Sequence, residues 1–76
     1  MGLSTLDDYV FRIAFSHNLR LIMMDNNWDA RTLSKLSGIT ESNISRYLNG
    51  ERLPSIQTVH ILLKVLGCKY EDLFEI

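Results

Sequence analysis

The chain has 76 residues, of which 46% are hydrophobic, with one Pro and four Gly. That length holds one domain, and the composition is globular rather than disordered. The net charge of −1 opposes bulk attraction to nucleic acid, and no stretch approaches the ~18 apolar residues of a membrane span. The predicted elements then follow from the punctuation. Ser4 caps a first helix with Asp7 at its third position, and Asn26–Asn27 ends its apolar pattern. Asp29 caps a second helix, Ala30 to Ser37, stopped by Gly38. Thr40 caps a third, Glu41 to Asn49, stopped by Gly50. Pro54–Ser55 opens a fourth, Ile56 to Leu66, stopped by Gly67. The last turn, Tyr70 to Glu75, has Lys69 where a cap belongs and is expected to fray. No β-branched run alternates with polar residues, so strands are not expected. The fold class is all-α: a five-helix bundle with an N-terminally extended first helix. It is expected to form a single domain over residues 1–76.

Charge is unevenly spread along these elements. Residues 30–52 carry Arg31, Lys35, Arg46 and Arg52 against Glu41 and Glu51, while acids collect at Asp7–Asp8 and Glu71–Asp72–Glu75. A locally basic middle on an acidic chain can bind phosphate as a patch.

On the third helix, Ile44, Tyr47 and Leu48 gather on one face at ~100° per residue. Ser42, Ser45, Arg46 and Asn49 gather on the other, with Glu41 at its edge. Short hydrogen-bonding groups beside an Arg suit a helix laid in a major groove, where Arg pairs with guanine's two acceptors. An ordinary amphipathic helix with a solvated polar face fits this pattern equally well. The short Gly38 turn between helices two and three is helix-turn-helix geometry, at about residues 30–49, although a purely structural corner has the same spacing. Leu33, Leu36, Ile39, Ile44 and Leu48 are expected to form the wedge between the pair, with Ser34 small enough to let them close.

Residues 15–74 resemble, without a gap, the helix-turn-helix domain of the Cro/CI repressor family, which includes the Xre-like regulators. The resemblance is carried by Leu33, Leu36, Gly38–Ile39, Ser42, Ile44, Ser45, Arg46, Gly50, Pro54, Ser55, Leu66, Gly67 and Leu73. The stretch SNISRYLNGERLPS is its most specific part. It implies that Glu41, Ser42, Ser45 and Arg46 read bases. It also implies that Thr40, Asn43, Asn49, Arg52 and Ser55 touch phosphates, together with the amides that open helix two. Two departures bear on this. Members typically have Gln where Ala30 stands, so Arg31 or main-chain amides must substitute. Glu41 repels phosphate unless it meets a cytosine amino group.

Helix one carries two apolar stripes. Phe11, Phe15, Leu19 and Ile22 form one, of which Phe15, Leu19 and Ile22 match the family's core positions; Leu6, Val10, Ile13, Leu21 and Met24, with His17 among them, lie roughly 160° away. The second stripe reads either as a homodimer interface or as a face covered by helix five or a folded-back N-terminus. Some family members tie helix one to the recognition helix with an Arg–Glu pair. The matching positions here are Met23 and Leu48, where an apolar contact is expected. Helix four, apolar almost all round, is expected to be the central buried helix.

His17, His60 and Cys68 lie on different elements without metal-like spacing, and no nucleophile–base pattern or phosphate-cradling glycine loop occurs. Neither enzyme activity nor a cofactor, metal or small-molecule ligand is expected. The start MGLSTLDDYV lacks the basic region of a signal peptide, and a lone Cys suits a reducing cytoplasm. The expected function is a cytoplasmic transcriptional repressor that binds double-stranded DNA as a homodimer on a two-half-site operator. The other reading is a protein-interaction module whose repressor-like fold has lost DNA contact.

Overall fold

The computed structural model describes residues 5–75, with side chains from Asp8 onward; the Ser4 cap and the Leu6 side chain lie outside them. Among the described residues the regular structure is five helices: α1 (Thr5–Asp25), α2 (Ala30–Ser37), α3 (Glu41–Leu48), α4 (Ile56–Leu66) and α5 (Tyr70–Phe74). Local chemistry sets their ends. Asn27 takes a left-handed φ of 57° and turns the chain after α1. Side-chain oxygens of Asp29, Thr40 and Ser55 accept the amides of Thr32, Asn43 and Thr58 at 2.8, 3.1 and 3.2 Å. Each cap satisfies one of the donors that a helix start leaves unpaired.

The core is assembled around α1. Phe15, Leu19 and Met23 pack with Leu33 of α2, Ile39 of the turn, Ile44 and Tyr47 of α3, Leu62 of α4 and Leu73 of α5. Phe15 meets Tyr47 edge-on at 5.5 Å and stacks on Phe74 at 5.2 Å. Leu48 packs against this same cluster, which contains Met23.

Three expectations need correction. Helix four is not the central helix: only Leu62 is buried, and Ile56 is 86% exposed. A chain this short has too few helices to surround α4, whereas α1 is long enough, at 21 residues, to lie against both α3 and α5. Leu36 is 53% exposed rather than part of the wedge. Ile39 fills the space between α2 and α3, and Leu36 is left on the outer edge of the last turn of α2. The third correction concerns α5, which is tied down where fraying was expected. The Lys69 amide donates to the Asp72 carboxylate at 2.9 Å, and Asn18 Nδ2 donates to the carbonyls of Leu73 and Glu75 at 3.0 and 2.7 Å.

Candidate nucleic-acid interface

The turn between α2 and α3 is braced from within. Gly38 takes a φ of 78°, which an L side chain rarely adopts. Ser34 Oγ donates to the Ile39 carbonyl, Ser37 Oγ donates to the Leu33 carbonyl, and the Ile39 amide donates to Ser37 Oγ. Hydroxyls at the end of α2 thus satisfy the polar groups of a turn too tight for main-chain pairing alone. Ser34 does more than leave room: it ties α2 to the turn that leads into α3.

On α3, Ile44 and Tyr47 are buried while Glu41, Ser42, Ser45, Arg46 and Asn49 are exposed, the division the apolar spacing predicts. No ion pair joins Glu41 to Arg46 among the described residues. At the start of α3, Thr40 serves as cap, and the half-buried Asn43 accepts a hydrogen bond from Arg52 Nη1 at 3.3 Å. Arg52 is thereby held over the first turn of α3. At the far end, Asn49 Nδ2 donates to Glu51 Oε2 at 3.2 Å. Ser55 is occupied by α4, accepting the Thr58 amide and donating to Thr58 Oγ1 at 3.0 Å. Arg31 is exposed in the first turn of α2. That helix end already holds an anion, because the Asp29 carboxylate accepts the Thr32 amide. The same hydrogen bond lowers its pKa below the ordinary 3.8, and Arg31 assists. The charge of Asp29 opposes a phosphate at these amides, so Arg31 is the better candidate there.

At the C-terminal end of α3 the Gly50 stop was legible from sequence, but the side chains that brace it were not. The Gly50 amide donates to the Tyr47 carbonyl at 3.1 Å, and the Glu51 amide to the Arg46 carbonyl at 2.9 Å. Gly50, at φ 72°, closes this left-handed cap. Three side chains of α1 complete it. Ser16 Oγ and Arg20 Nη2 both donate to the Leu48 carbonyl, at 2.6 and 2.9 Å, and Arg12 Nη1 donates to the Gly50 carbonyl at 2.7 Å. Arg12 is held in turn by Asp8 at 3.1 Å. The spacing of four between 12, 16 and 20 was a signal that these residues share a side of α1, but nothing in it named their acceptors.

The second stripe of α1 is left uncovered by α5. Ile13, Leu21 and Met24 are 44, 45 and 64% exposed, His17 is exposed and Val10 half-buried. With Tyr9, Asn18 and Glu75, the N-terminal part of the stripe lines a shallow apolar groove. Elsewhere, burial and then the charge of Asp72 push the Cys68 thiol above its ordinary pKa, away from the reactive thiolate. No described helix is long and apolar enough to cross a membrane.

Comparison with known proteins agrees with this geometry. An uncharacterized HTH-type transcriptional regulator of Bacillus subtilis (strain 168), YvzC, is 35% identical over 52 residues, 68% of each chain. No solved structure matches the chain. The Cro/C1-type HTH DNA-binding domain matches residues 18–76, a span that takes in the braced turn, α3 and its anchored end. The chain therefore belongs to the Cro/C1-type helix-turn-helix DNA-binding domain family.

Proposed function

We propose that the protein is a sequence-specific transcriptional repressor that binds a two-half-site operator as a homodimer, with one α3 in each major groove. One observation carries the reading. The exposed face of α3 consists of Glu41, Ser42, Ser45, Arg46 and Asn49, mounted over buried Ile44 and Tyr47. Short side chains let that face approach base edges, and Arg46 supplies the fork that pairs with guanine O6 and N7. Glu41 accepts from a cytosine amino group, and Ser42 and Ser45 pair with either base type. Arg31, Thr40, Asn43, Asn49 and Arg52 hold the phosphates. Ser55 joins them only by turning its hydroxyl away from Thr58. With a net charge of −1, a single domain gains little from bulk electrostatics, so two linked sites raise affinity where one does not. The uncovered stripe of Val10, Ile13, His17, Leu21 and Met24 is the surface that a second copy takes in this reading, with Leu6 alongside.

The test is selection of bound duplexes from a random pool, repeated at two salt concentrations. The expected product is a pseudo-palindrome whose half-sites lie about 34–36 Å apart, with weaker recovery at the higher salt. A pool that shows no enrichment at low salt refutes the reading in favour of a protein-interaction module.

A further inference from the structure

We infer that Ser16, Arg20 and Arg12 of α1 are positioning residues for DNA recognition: they set the orientation of α3, and with it base selectivity, without reading a base. The inference rests on the proposed role of α3 and adds to it side chains of another helix, which hold main-chain carbonyls at the end of α3. It starts from the acceptors at the end of the helix. An α-helix leaves its last four carbonyls without intrahelical donors. In α3 the amides of Asn49, Glu51 and Gly50 take those of Ser45, Arg46 and Tyr47. Leu48 holds the last of these four carbonyls and Gly50 presents another just past the cap, and α1 supplies donors to both. Ser16 and Arg20 converge on the Leu48 oxygen, and Arg12 reaches the Gly50 oxygen. Both guanidinium groups also sit where the helix dipole favours positive charge.

The placement of these bonds matters more than their number. Arg46 and Asn49 lie within the same last turn and cap as the anchored carbonyls. An eight-residue helix is about 12 Å long, so a tilt of about 10° pivoted at its start moves its far end about 2 Å. That displacement is larger than the distance tolerance of a hydrogen bond to a base edge. Packing of Ile44 and Tyr47 fixes the depth of α3, but apolar contacts are non-directional. Three directed bonds at one end resist the tilt. A change at Ser16 is therefore expected to reach the bases opposite Ser45 and Arg46.

The test uses the full chain, the duplex selected by the wild type and a scrambled duplex of equal length and composition. Ser16→Ala removes the hydroxyl without changing charge, and Ser16→Thr retains it. The expected result for Ser16→Ala is a roughly two- to tenfold fall in the ratio of specific to scrambled affinity, the span of one neutral hydrogen bond. The loss should concentrate at the base pairs opposite the last turn of α3, with scrambled binding unchanged, and Ser16→Thr should restore the ratio. An unchanged ratio overturns the inference. So does an equal fall on both duplexes with a lowered melting temperature, which marks Ser16 as structural only. If Arg20→Ala weakens both duplexes alike and reduces the salt slope by about one phosphate, Arg20 is a phosphate ligand instead. A wild type that selects no duplex overturns the DNA reading and with it the selectivity role, and leaves the anchoring of α3 to be tested separately. Amide exchange then decides: faster exchange at Glu51 in Ser16→Ala, with Leu33 unaffected, upholds the anchoring, and no change refutes it.

Discussion

Substituting Ala at Gly50 and at Gly38 separates two costs that act together at the end of α3. Both glycines are left-handed, with φ of 72° and 78°. An L side chain in that conformation costs about 1–2 kcal/mol, so both variants lose at least this. A Cβ on Gly38 meets nothing within 4 Å, whereas one on Gly50 comes to 3.2 Å from Ile13 Cδ1. Ile13 has to give by a few tenths of an ångström, and a side chain driven off its rotamer costs about 0.5–1.5 kcal/mol. Gly50→Ala should therefore be less stable than Gly38→Ala by about 1 kcal/mol, which lowers its melting temperature by a further ~4–8 °C at this chain length. Urea unfolding at fixed protein concentration, followed by helical circular dichroism, measures the difference. A total stability of about 4–11 kcal/mol for 76 residues leaves room to resolve both variants. If Gly50→Ala proves as stable as Gly38→Ala, the close packing of α1 on the end of α3 is wrong.

Arg46→Ala should cost roughly 1–3 kcal/mol on the selected duplex and relax selection at one base pair per half-site; equal loss on every sequence moves Arg46 to the phosphates. Arg52→Ala should weaken selected and scrambled duplexes alike and flatten the salt dependence by about one phosphate, and an unchanged slope removes it from the contacts. Leu21→Glu, at a half-exposed position on α1, should leave the fold intact and shift sedimentation to the monomer mass. A variant that stays dimeric redirects attention to the apolar cleft between Leu53, Ile56 and Tyr70. Because the folded pKa of Asp29 is lowered, its carboxylate adds stability that is present above its ordinary value of 3.8 and lost as pH falls through the lower folded value. Asp29→Ala should be less stable at neutral pH and lose less on acidification; identical acid profiles refute the cap.

The legible parts of this fold are those written in residue type. Asp29, Thr40, Ser55, Gly38 and Gly67 mark their helix ends because caps and left-handed turns demand particular chemistry. The two faces of α3 follow from the spacing of Ile44 and Tyr47 for the same reason. Burial of α4 was not legible, since an apolar helix becomes buried only when enough neighbours surround it. Leu36 fails similarly: Leu33, Ile39 and Ile44 fill the wedge as expected, and the last turn of α2 leaves Leu36 on its outer edge. The donors of α1 were hidden for another reason. Their partners are main-chain carbonyls, which every residue carries, so no pattern of side chains announces that Ser16 and Arg20 meet at Leu48.

The clasp between Asn18 and the last turn has a kinetic consequence. Its two hydrogen bonds span 55 and 57 positions of the chain, and Phe15 finds its stacking partner in Phe74. The helix-turn-helix itself needs only local contacts, which form quickly, whereas joining the ends requires closing a long loop before any reward. On a ribosome, α1 emerges first and waits with Phe15 and Leu19 uncovered until α5 leaves the exit tunnel. Folding is then expected to complete only once α5 is free to dock, and a chain cut after Cys68 should remain a substrate for chaperones and proteases even though its helix-turn-helix is entire.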